Sequence, residues 1–68
     1  MDEQRFIEKY KDKEITVKTY KMGDLSTYLI FIDDKPLEGL EEDIFWGLLP
    51  NTQVIFSNKD TEILKLVV

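Results

Sequence analysis

The sequence predicts an α+β fold: a small antiparallel sheet of four or five strands with a single helix packed on one face, in the order β-β-β-α-β-β, the first strand also being readable as a short helix. Three observations carry this. Four stretches rich in β-branched and aromatic residues are separated by short turn-forming clusters. One stretch, near residues 37 to 49, spaces its large apolar residues at helical intervals instead. With 68 residues, positions 1–68 read as a single compact domain, and a chain of this size buries only about 60% of the surface its unfolded form exposes, which leaves a thin core and no deep internal cleft.

The first element lies within DEQRFIEKY. As a strand from Arg5 to Tyr10 it puts Phe6 and Tyr10 on one face, with Lys11-Asp12-Lys13 as a polar connection. As a helix begun by Asp2 it puts Phe6, Ile7 and Tyr10 on one face. A short charged helix is marginal without a large face to dock on, which favours the strand. The helical reading would make two successive helix-strand-strand units, although the halves share too few residues to support a duplication.

Glu14 to Lys21, EITVKTYK, alternates Ile15, Val17 and Thr19 against Glu14, Thr16 and Lys18 and reads as a half-buried strand. Met22-Gly23-Asp24 is its turn. Ser26 to Asp33, STYLIFID, places Tyr28, Ile30 and Ile32 on one face and Leu29 and Phe31 on the other; a strand apolar on both faces is expected at the centre of a sheet. Asp33-Asp34-Lys35-Pro36 then breaks the extended run, because proline cannot donate into a ladder and aspartates favour turns.

Leu40 to Leu49 is the predicted helix, with a start as early as Leu37. Counted at 100° per residue, Leu37, Leu40, Ile44 and Leu48 fall within about 80° of one another, with Phe45 at the margin. Pro50-Asn51 ends it. Thr52 to Ser57 and Thr61 to Val68 are two strands joined by Asn58-Lys59-Asp60, a terminal hairpin. The strand-strand-helix-strand-strand order resembles that of β-grasp, ubiquitin-like proteins. LKLVV at the C-terminus holds no diglycine, so the likeness implies nothing beyond fold.

Strict alternation puts Leu29, Phe31, Ile55, Ile63 and Val67 on the opposite side of the sheet from Tyr28, Ile30, Val54, Phe56, Leu64 and Leu66. One helix covers one side. The other is expected to be closed by a strong curl of the sheet, by another protein or by a second copy of the chain.

Composition excludes more functions than it suggests. Without histidine or cysteine the usual base near neutral pH, the usual low-pKa nucleophile, a disulfide framework and a thiolate metal site are all missing. No phosphate-cradling glycine loop or nucleophile elbow is present. Carboxylates are the remaining chemistry, and their spacing matches no calcium loop. The chain is therefore expected to be non-enzymatic, without metal or cofactor. The N-terminus has no apolar run and no stretch approaches the length of a membrane span, so a cytoplasmic protein that avoids membranes is expected.

Charge is the functional lead. The net charge of −5 is uneven: residues 1 to 21 hold six basic and five acidic side chains, and the remainder three basic and nine acidic. DDKPLEGLEEDIFWGLL, residues 33 to 49, sets six carboxylates and one lysine against the only tryptophan. Glu41, Glu42 and Asp43 would stabilise the first turn of a helix by about 0.3–1 kcal/mol each, which accounts for them locally. Trp46, on the far side of the helix from the apolar stripe and between Glu42 and Asp43, is not accounted for that way. Tryptophan anchors many interfaces, and acidic neighbours select a basic partner.

The expectation is a small acidic protein-binding module, an inhibitor or adaptor of the kind phages and mobile elements carry, docking on a basic surface of a nucleic-acid-handling protein. Trp46, Glu42, Asp43, Glu38, Asp33 and Asp34 are its partner-binding residues. The alternative is a structural homo-oligomer, at its simplest a homodimer, joined through the apolar sheet face. A second alternative uses Lys9, Lys11, Lys13, Lys18 and Lys21, interleaved with Tyr10 and Tyr20, as a nucleic-acid strip; Glu8, Asp12 and Glu14 among them, and a pI near 4.5, argue against it.

Overall fold

A computed structural model describes residues 2–67. The chain is α+β, with a five-stranded antiparallel sheet and two helices rather than one. The order is α1 (Glu3–Tyr10), β1 (Ile15–Met22), β2 (Leu25–Ile32), β3 (Lys35–Pro36), α2 (Leu40–Gly47), a 3-10 turn (Leu49–Asn51), β4 (Thr52–Ser57) and β5 (Thr61–Leu66). The sheet runs β3-β2-β1-β5-β4. Val68, expected in the last strand, lies outside the described residues, and β5 ends at Leu66.

The favoured N-terminal strand is a helix. The Asp2 side chain accepts a hydrogen bond from the Arg5 N–H at 2.9 Å, capping the first turn. The docking face that a short helix needs is supplied by tertiary structure: Phe6 is 0% exposed, and its ring meets Tyr10 edge-on at 4.8 Å. The resulting order gives two helix-strand-strand units. Across the sheet β1, the first strand of one unit, joins β5, the second strand of the other.

β1, not β2, is the central strand. Ile15↔Ile32 and Val17↔Ile30 pair it with β2, and Ile15↔Leu64 pairs it with β5, so one row of buried apolar residues crosses three strands. β2 reaches β3 only at Phe31 and Ile32. The Asp33-Asp34 turn does not end the sheet as expected. Both residues have positive φ, 54° and 64°, which suits a two-residue hairpin of the type I′ kind and returns Lys35–Pro36 to pair at the edge, where proline is tolerated.

Helix α2 is rolled relative to its expected phase. Phe45, at the margin of the predicted stripe, is fully buried with Leu48, while Leu40 is 65% exposed. Gly39, whose φ of +62° precedes the helix, breaks the helical count between Leu37 and Leu40. Leu37 is buried but stands before that break, so it does not share the helical phase of Leu40. The helix also closes at Gly47, and the 3-10 turn carries the chain through Pro50.

A register shift between Val54 and Phe56 alters β4. Val54 pairs with Leu64 on the helix side, but Phe56 pairs with Ile63 on the open side, so strict alternation misplaced Phe56. Among the described residues the core holds ten buried side chains, from α1, β1, β2, β5, α2 and the residues that flank α2, all on the helix side of the sheet. Beyond Lys18, β1 pairs with β2 alone, and that hairpin extends from the body with Met22 and Leu25 exposed at its tip.

Candidate functional site

The six carboxylates of residues 33 to 43 divide by what they touch. Asp33 meets the Lys13 ammonium at 2.9 Å and fastens the β2–β3 turn to the segment after α1. Glu41 faces α1, accepting a hydrogen bond from the Tyr10 hydroxyl at 2.7 Å and an ion pair from Lys9 at 3.3 Å. The Tyr10 hydroxyl holds the Glu41 carboxyl below its ordinary value of 4.5, and Lys9 adds to the effect. The Tyr10 hydroxyl is pushed above its ordinary 10.0, by burial first and by Glu41 second. Asp34, Glu38 and Asp43 are exposed and Glu42 is half-buried. Among the described residues none of these four makes an ion pair.

Trp46 does not stand free among them. It is half-buried against the core, edge-on to Phe45 at 5.3 Å and to Tyr28 of β2 at 5.9 Å. With Tyr28, Val54 and Glu62 it frames a groove of about 530 Å³, floored by Val17 and Leu64. None of Asp33, Asp34, Glu38, Glu42 or Asp43 lines that groove. The structure thus separates the tryptophan from the acids beside it in sequence and brings it instead to Tyr28 and Glu62. Sequence reasoning passed over both. The available signal was Glu62 itself, a charge at an apolar position of the Glu62, Leu64, Leu66 alternation.

The opposite side of the sheet carries no helix. Phe31, Ile63 and Phe56 lie there, joined by register through Thr16, with Leu29 exposed in the next row. Lys18 sits 5.8 Å over the Phe31 ring. The lysines near the N-terminus form no continuous strip: Lys9 and Lys13 are paired with carboxylates, and Lys18 and Lys21, three apart on one strand, project to opposite faces.

Among the described residues no group of three or more His, Cys, Asp and Glu side chains is placed to hold a metal ion, and no helix is long and apolar enough to cross a membrane. Comparison with protein-family models, with curated proteins and with solved structures gave no match.

Proposed function

We propose that this chain is a small, acidic, non-enzymatic protein-binding module of the cytoplasm, an inhibitor or adaptor that docks on a basic surface of a nucleic-acid-handling protein. The observation that carries this is the division of the acidic segment. Asp33 and Glu41 pair across the fold, whereas Asp34, Glu38, Glu42 and Asp43 make no ion pair among the described residues. Charge left unneutralised along one connection and one helix steers and orients a basic partner. Immobilised chain should recover a partner from the cell that makes it. The triple variant Asp34→Lys, Glu42→Lys, Asp43→Lys, which removes no side-chain hydrogen bond or ion pair seen among the described residues, should recover at least about tenfold less once its folded spectrum is verified. Equal recovery would sink the proposal.

The open sheet face favours a second reading, self-association. Leu29, Phe31, Phe56 and Ile63 form an apolar band of the kind that marks interaction surfaces. Light scattering across a hundredfold concentration range decides it: a mass that doubles from 8.1 kDa supports a homodimer, and a constant mass removes it.

A further inference from the structure

The helix side of the sheet is not covered to its end. Helix α2 stops at Gly47, and past it the apolar floor of Val17 and Leu64 continues into the groove beneath Trp46 and Tyr28. One residue departs from the chemistry of its surroundings. Glu62 lies on the same side of β5 as the buried Leu64 and Leu66 and opposite Val17 in the register, yet it is charged and lines the groove. Glu62 is exposed, so water meets its carboxylate in the free protein, and a ligand that covers the groove has to replace that water with a donor. No lysine or arginine among the described residues pairs with Glu62.

We infer that this groove receives an arginine side chain of a basic protein partner, with the guanidinium on Glu62 and the stem lying along the Trp46–Tyr28 pair; the inference rests on the proposed binding of a basic protein and names the residue that anchors it. Arginine matches each wall. Its planar fork pairs with a carboxylate through two parallel hydrogen bonds. Its weakly hydrated guanidinium stacks on aromatic rings, and its stem lies on apolar surface. A purely apolar side chain would strip water from Glu62 and return nothing, and an acidic one would be repelled. The Trp46–Tyr28 edge contact holds the two rings in place before any ligand arrives, so little side-chain freedom is lost on binding.

Trp46 is the only tryptophan, so its fluorescence reports the groove directly. The probe is the acetylated, amidated tripeptide Leu-Arg-Leu, compared with Leu-Gln-Leu and Leu-Glu-Leu, with amide NMR shifts read in parallel. Leu-Arg-Leu should shift Trp46 and the Glu62 amide saturably, and Leu-Gln-Leu should bind about fivefold more weakly or worse. Glu62→Gln and Tyr28→Ala, both at exposed positions, should weaken Leu-Arg-Leu while leaving the dispersed spectrum of the fold intact. Equal binding of Leu-Gln-Leu overturns the arginine assignment, and preference for Leu-Glu-Leu overturns it more strongly. Shifts confined to Glu38, Glu42 and Asp43 overturn the groove but leave the basic-partner reading standing. No shift at all also overturns the groove. Conversely, recovery of partners unaffected by the triple charge variant would remove the basic-partner reading without touching the tripeptide result.

Discussion

Glu41 and Glu42 are neighbours of the same charge with different work. Glu41 points at α1 and joins the two helices through Tyr10 and Lys9, whereas Glu42 meets no cation. A carboxyl held below its ordinary value stabilises the fold above the unfolded pKa, and that contribution is lost as pH falls through the folded one. Tyr10, held above its ordinary value, contributes below about pH 10, and its share is lost as pH rises past that point. Urea denaturation against pH should therefore show stability falling below about pH 4.5 in the wild type and a flatter acid limb in Glu41→Gln; identical acid limbs would show that the pair contributes nothing. Which acids are internal was not legible in the sequence. The spacing of DDKPLEGLEED gives each carboxylate the same local environment, and only the position of α1 decides that Glu41 is the one with a donor.

At the level of elements, the sequence carried the two hairpins and the central helix, because alternation and turn residues act locally and tertiary contacts merely keep what they favour. It failed where a distant contact decides. The helix α1 is too short to persist alone and exists because Phe6 enters a core made by β1, β2, β5 and α2. Removing that contact should take a large share of the domain's stability: Phe6→Ala is expected to lose about 3–5 kcal/mol, against a total of about 3–10 kcal/mol for a chain of this length. Asp2→Ala, which removes only the cap, should cost about 0.5–2 kcal/mol and leave a cooperative transition. A Phe6→Ala chain as stable as wild type in urea would mean that α1 is not part of the core. Two further misreadings have local causes instead. Gly39, at a positive φ, breaks the helical count between Leu37 and Leu40, and the shift at Ile55 moves Phe56 across the sheet. A one-residue insertion of this kind leaves no mark in an alternation pattern.

Taken whole, the molecule has unlike sides. The helix side holds the core and the groove between Trp46 and Glu62, with Glu42 and Asp43 on α2, while the open sheet side is apolar with lysines at Lys18 and Lys65, and Asp34 lines a hollow there beside Thr16, Lys18 and Phe31. The acidic segment was legible as a binding candidate, but its grouping was not: Trp46 belongs with Tyr28 and Glu62, and the acids fall into a structural pair and an unpaired four. The central claim is that those four select a basic partner by charge. Its most direct measurement is the affinity of the recovered partner between about 0.05 M and about 0.5 M salt, for the wild type and for the Asp34→Lys, Glu42→Lys, Asp43→Lys variant, because exposed charges are screened within a Debye length of about 10 Å at 0.1 M. Wild-type affinity is expected to fall steeply across that range and the variant's to be weak and nearly flat. A wild-type affinity indifferent to salt would contradict it.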